Sequence, residues 1–211
     1  MTGPSSILGH FKNSATFTLN DAYLFLRSGK AGVSRTYTQV TLSRMSKRRS
    51  LYQVAKGVFS VRNNVEVAGF AFSPFYYGGV SALMIRDLID DQVLLEIMTT
   101  KTVRKSRVKV FGGSANVLLH HIPDRYYFGF DEIMYGGLKV PVSNAEKTLI
   151  DLLYFKIRLS EDDYLRLVAS IDRKRLAMYL RKFNVRFAKS ALSFYAKTLV
   201  VAETKGLESG Y

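Results

Sequence analysis

The chain has 211 residues, enough for one large domain or two small ones with a real core. It has no cysteine, which excludes disulfides, thiolate metal sites and a cysteine nucleophile. No apolar run matches a signal peptide or a membrane span, so the expected setting is the cytoplasm, without membrane contact. Net charge is +14 and unevenly spread: residues 1–62 hold ten basic side chains and one acid, residues 63–140 eight of each, and residues 141–211 thirteen and eight. A cationic excess held mostly by one segment suits phosphate neutralisation better than a uniformly solubilising surface does.

Residues 5–12 (SSILGHFK) predict a short helix with Ile7, Leu8 and Phe11 inward, leaving His10 as a surface or packing residue. Leu19, Ala22, Tyr23 and Leu26 follow at the spacing of one buried helical stripe. Thr18 is the predicted N-cap, with Asp21 in the capping-box position. Gly29 and Gly32 then permit a sharp reversal. A second helix is predicted from Ser34, its N-cap, to about Arg49. Leu51–Val54 and Val58–Val61 follow as a hairpin around Ala55-Lys56-Gly57. Helix, turn, helix and hairpin together predict a winged helix-turn-helix, in which the second helix enters the major groove of duplex DNA.

On that helix Thr38, Leu42 and Met45 form the inward side. The other face carries Thr36, Gln39, Val40, Ser43 and Lys47, with Ser34 and Arg35 at the amino-terminal end and Lys56 on the hairpin turn. An amide can pair with adenine, a guanidinium with guanine and a small apolar group with a thymine methyl, whereas lysines suit phosphates. These eight residues are the predicted DNA-binding set.

After Arg62 the character changes, and residues 63–211 are predicted to form a second domain of mixed α and β structure. Val65–Phe72 is apolar and β-prone; Val80–Leu88 reads as a short helix and Leu94–Thr99 as a strand. Val117–Ile122, Tyr126–Phe130 and Ile133–Val140 supply further strands. The basic run Lys101–Lys109 is either a solvated edge or a second phosphate contact. Helices are predicted from Ser143, whose SNAE stretch reads as a capping box, from Ser160, after Asp172 and from about Arg186, before a frayed ESGY end.

Four stretches resemble the AbiEi-type antitoxins, transcriptional regulators of abortive-infection (viral defence) systems: LSRMSKRRSLYQVAKGVFSV (Leu42–Val61), YYGGVSALM (Tyr76–Met84), the β-rich run Val93–Val140, and VPVSNAEKTLIDLLYF (Val140–Phe155). The last is similar to that family's Glu-Lys-Thr-Leu-x-Asp-Leu signature. The resemblance implies an autorepressor that binds the operator upstream of its own operon. It also implies antagonism of a nucleotidyltransferase-like toxin in a type IV toxin–antitoxin system, by contact or only functionally. Carboxyl-terminal cations would carry the antitoxin surface, here Arg166, Arg173, Lys174, Arg175, Arg181, Lys182 and Arg186.

Catalysis is not expected. Glu146 is explained by the capping box, and Lys147 and Asp151 by an i, i+4 pair on the helix surface. Adjacent His120 and His121 point to opposite faces of a strand and cannot share a metal. No cofactor or metal is implied. Two rivals stay open: a metal-dependent nuclease, motivated by Asp90, Asp91, Glu96 and Lys101, and a protein-interaction module built on the winged helix. The overall expectation is an α+β chain: a winged helix, then a β-rich domain with a helical carboxyl-terminal tail.

Overall fold

The computed structural model describes residues 4–90 and 94–208; Asp91 and the last three residues of the predicted frayed ESGY end lie outside the described residues. The chain has mixed α+β structure in two compact units. The first comprises residues 1–73, to which the segments 107–117 and 136–138 also belong; the second comprises residues 74–106, 118–135 and 139–211.

The first unit begins with α1 (Pro4–Phe11), β1 (Phe17–Thr18), α2 (Leu19–Gly29) and α3 (Arg35–Lys47), then β2 (Tyr52–Ala55) and β3 (Val58–Ser60). Thr18 caps α2 as its sequence requires: its hydroxyl accepts from the Asp21 N–H (3.2 Å), and its own N–H donates to the Asp21 carboxylate (2.7 Å). The Ser34 hydroxyl accepts from the Tyr37 N–H (3.1 Å) and starts α3. That helix stops two residues before the predicted Arg49. Arg49 turns left-handed (φ 56°), and the Ser50 N–H reaches back to the Met45 carbonyl (3.1 Å), a closed carboxyl-terminal cap.

The β2–β3 hairpin turns at Gly57 (φ 75°). Two-residue β1 adds to its other side, pairing Phe17 with Phe59 and Thr18 with Val58 in the order β1-β3-β2. A strand so short has no periodicity to detect, and none was expected there. Ile7, Phe11, Phe17, Ala22, Leu26, Leu42, Met45, Leu51 and Phe59 form the core that holds the three helices to this sheet.

Val65–Phe72, expected to be extended, is instead a 3-10 segment that buries Val67, Ala68 and Gly69. Uniform apolarity carries neither period, so the residues alone could not separate strand from helical turn.

The second unit is built on β4 (Phe75–Tyr77), α4 (Gly79–Ile85) and β5 (Leu95–Thr99). Then come β6 (Arg107–Val110), β7 (Ala115–His121), β8 (Phe130–Tyr135) and β9 (Leu138–Ser143), parts of which are in the segments assigned to the first unit. The strand order is β6-β7-β5-β4-β9-β8, with β4 antiparallel to β5 and parallel to β9. Residues 126–130, expected as a strand, contain the end of a 3-10 turn at Asp124–Tyr126 and reach extended structure only at Phe130. Four helices complete the unit: α5 (Ala145–Phe155), α6 (Glu161–Ala169), α7 (Arg173–Leu180) and α8 (Val185–Glu208). Their core includes Leu149, Ile150, Leu152, Leu167, Val168, Leu176 and Leu180. No helix among the described residues is long and apolar enough to cross a membrane.

Candidate nucleic-acid interface

Helix α3 divides its side chains cleanly. Thr38, Thr41, Leu42 and Met45 are buried, and Ser34, Arg35, Thr36, Gln39, Val40, Ser43 and Lys47 are exposed, as is Lys56 on the hairpin turn. Arg35, Gln39, Ser43 and Lys47 recur every fourth residue and form one stripe along the helix. Gln39, Ser43 and Lys47 line an open concavity of about 980 Å³, shared with Lys56 and the β2 side chains Tyr52 and Gln53. Arg49 adds a third cation to that lining, which contains no acid among the described residues. Four of the eight predicted residues therefore meet in one place. Ser34, Arg35, Thr36 and Val40 lie outside the concavity, on the same exposed side of the helix entry.

Ser34 is committed to its cap. Arg35 is held as well: its guanidinium donates to the Asn20 side-chain oxygen (2.8 Å) and lies 5.4 Å from the centre of the Tyr23 ring. It thus braces α3 against α2 while keeping an exposed charge at the helix entry. Thr36 and Val40 (42 % exposed), with Tyr37 (53 % exposed), leave hydroxyl, methyl and aromatic groups on the solvent side.

The sequence did not single out Arg49, Gln53 or Asn63, nor Phe111, Gly112 and Ser114, which line the same concavity from the turn between β6 and β7. Arg49 and Gln53 were visible as polar neighbours of the hairpin. The Phe111–Ser114 turn carried only a glycine pair, far away along the chain.

The carboxyl-terminal cations are less uniform. All seven are exposed, and three of them also hold a partner. Arg166 donates to the Leu88 carbonyl (3.4 Å), Arg175 lies 3.7 Å from the Glu146 carboxylate, and the Lys182 ammonium sits 4.1 Å from the Phe128 ring centre. Asp172 caps α7 by accepting from the Arg175 and Lys174 N–H groups, which hold its carboxyl below the usual range.

Helix α5 corrects two expectations. Its N-cap is Asn144, whose side chain accepts from the Lys147 N–H (3.1 Å), because Ser143 still belongs to β9 and its hydroxyl meets Thr148 (2.7 Å). No capping box forms, and Glu146 instead accepts the Asp172 N–H (2.7 Å). Lys147 and Asp151 are not a surface pair. They are 1 % and 2 % exposed and form an ion pair inside the unit. Tyr76 donates to the second Asp151 oxygen (2.9 Å), and the Lys147 ammonium lies 5.1 Å from the Tyr76 ring centre and 5.5 Å from that of Phe128. Burial raises the Asp151 carboxyl, opposed by Lys147 and then Tyr76; burial, with the Asp151 charge, pushes the Tyr76 phenol well up, so it stays a donor.

The groups behind the nuclease rival are differently placed. Glu96 is buried, its carboxylate 3.5 Å from the His120 ring nitrogen and so close to Gly79 that any Cβ there would overlap it; Asp90 is exposed. His120 turns inward against Phe155, whereas exposed His121 faces the Lys101 carbonyl (3.1 Å). Among the described residues, no three His, Cys, Asp or Glu side chains gather in a way that could hold a metal ion.

No family model matches the sequence, and a search of curated proteins finds no match. Among solved structures the chain is similar to the crystal structure of the RV2827C protein from Mycobacterium tuberculosis, with a TM-score of 0.63 over 92 % of this chain and 76 % of that one. Sequence identity is 15 %, so the likeness is one of fold.

Proposed function

We propose that the first unit is a winged helix-turn-helix that binds duplex DNA, with α3 as the recognition helix and the β2–β3 hairpin as the wing. The observation that carries this reading is the concavity, without an acid among the described residues, in which Gln39, Ser43 and Lys47 of α3 meet Lys56 of the hairpin turn. Gln39 and Ser43 supply hydrogen-bonding groups for base edges, and Lys47, Arg49 and Lys56 supply charge for phosphates. Arg35, braced by Asn20 and Tyr23, sets the entry of the helix.

On this reading the protein represses the operon that encodes it, binding upstream of its own gene, and acts as the antitoxin of an AbiE-like type IV system. The resemblance of Leu42–Val61 and Val140–Phe155 to AbiEi-type antitoxins supports that assignment. The exposed Arg173, Lys174, Arg181 and Arg186 are then the cations available to oppose a nucleotidyltransferase-like toxin. The reading requires neither catalysis nor a cofactor.

A reporter driven by the DNA upstream of the gene tests both halves in cells. Expression of the protein should silence the reporter, and Lys47→Glu should restore it while still rescuing growth against the toxin. Charge reversal at Arg173, Lys174, Arg181 and Arg186 should do the converse. A reporter indifferent to the wild-type protein would contradict the autorepressor reading.

A further inference from the structure

The turn between β6 and β7 belongs to the same compact unit as α3, although it lies more than sixty residues further along the chain. β2 packs against this turn and against β6, so the turn forms one wall of the concavity whose other wall is α3. Its backbone is unusual: Phe111, Gly112 and Gly113 all have positive φ (53°, 65° and 102°), a region that a bulky side chain such as Phe rarely adopts. A Cβ at Gly112 would meet no atom within 4 Å, so the backbone there is open to close approach.

The strand leading into the turn is cationic on one side only. In β6, Arg107 and Lys109 are exposed, while Val110, the last residue of the strand, is buried. Alternation puts the two cations on one face. The Lys109 stem lies beside the turn, its Cδ 3.9 Å from where a Cβ of Gly113 would sit. Thus two exposed cations sit on the strand that enters a turn lining the same concavity as Lys47, Arg49 and Lys56.

We propose that the Phe111–Ser114 turn, with Arg107 and Lys109, is a second DNA-contacting element that grips the sugar–phosphate backbone of the duplex read by α3. This rests on the DNA-binding reading above and extends it. It divides the basic run Lys101–Lys109: Arg107 and Lys109 are phosphate ligands, because they alone among its cations belong to the unit that carries α3. Contacts of this kind position a protein without reading sequence, so they should add affinity and salt dependence but no discrimination.

The test is a salt titration of binding, by fluorescence anisotropy, of the full chain to the duplex upstream of its gene and to a scrambled duplex. The wild type is compared with Arg107→Gln/Lys109→Gln and, separately, Lys47→Gln/Gln39→Ala. For the first variant, the slope of log affinity against log salt should shrink by about 1.8, at about 0.9 per lost phosphate contact. Affinity at low salt should fall at least tenfold for both duplexes alike, with the native-to-scrambled ratio unchanged. The second variant should lose that ratio. A first variant with wild-type slope and affinity, beside a wild type that prefers its own duplex, would overturn the second contact and leave α3 standing. A wild type that binds neither duplex at low salt would overturn both. Circular dichroism of the variants confirms that they are folded, as expected for exposed positions.

Discussion

Helices α3 and α5 use polar residues in opposite ways. Both are capped by a short polar side chain, Ser34 and Asn144. The polar residues that α3 buries are threonines, and its amide and cations stay in solvent. In α5, Glu146, Lys147, Thr148 and Asp151 are all buried and each finds a partner inside the second unit. Charge outside a fold is available to a ligand, whereas charge inside is committed to the structure that encloses it. The same residue types in a helix sequence therefore carry opposite meanings, decided by partners the helix does not contain.

Breaking the comparison should cost most inside. Lys147→Met leaves a buried carboxylate unpaired and Asp151→Leu leaves a buried ammonium unpaired, and each should destabilise by about 3–5 kcal/mol in urea unfolding. The double variant Lys147→Met/Asp151→Leu should be far less harmful than the sum of the two, since an apolar pair of similar volume needs no desolvated charges. Strict additivity would mean that the two groups do not depend on each other.

Next in size is sequence reading. Gln39→Ala should lower the preference for the native duplex over a scrambled one by about 1–3 kcal/mol, if its amide pairs with a base. Unfolding should stay within about 0.5 kcal/mol of wild type, because the residue is exposed. A comparable loss, about 1 kcal/mol, is expected in stability alone for Thr18→Ala, which removes the hydroxyl that accepts from the Asp21 N–H and donates to the Asp21 carboxylate. That variant should bind DNA normally once folded.

The smallest effect sharpens the contrast through pH. Asp151 has its folded pKa raised by burial, so the native state holds the proton more tightly than the unfolded chain does. Its contribution is fully present below the unfolded value of about 3.9 and is lost as pH rises through the folded value. The stability of the wild type relative to Asp151→Asn should therefore decline as pH is raised across that window. A difference that grows with pH would mean that pairing with Lys147 outweighs burial.

How far the sequence could be read follows from the range of the interactions. The Thr18 and Ser34 caps, the buried stripes of α2 and α3 and the hairpin at Gly57 depend on neighbours within a few residues, and all were legible. β1 was not, because two residues have no pattern and their register is set by Phe59 and Val58 forty residues on. The polar face of α3 was legible for the same reason as its buried face. Its second wall was not, because Phe111–Ser114 reaches it only through packing on β2. Glu146 and Asp151 were misjudged because their partners, Asp172 and Tyr76, are 26 and 75 residues away.

The central claim is that the exposed face of α3 reads a specific duplex. The most direct measurement is the ratio of affinities, by fluorescence anisotropy at physiological salt, for the duplex upstream of the gene and a scrambled duplex of the same composition. The wild type should show a ratio of about a thousandfold or more, of the order that separates specific from non-specific binding, falling toward unity when Gln39 and Lys47 are replaced together. Equal affinities for both duplexes, fading alike as salt is raised, would contradict it and leave a basic surface near phosphate.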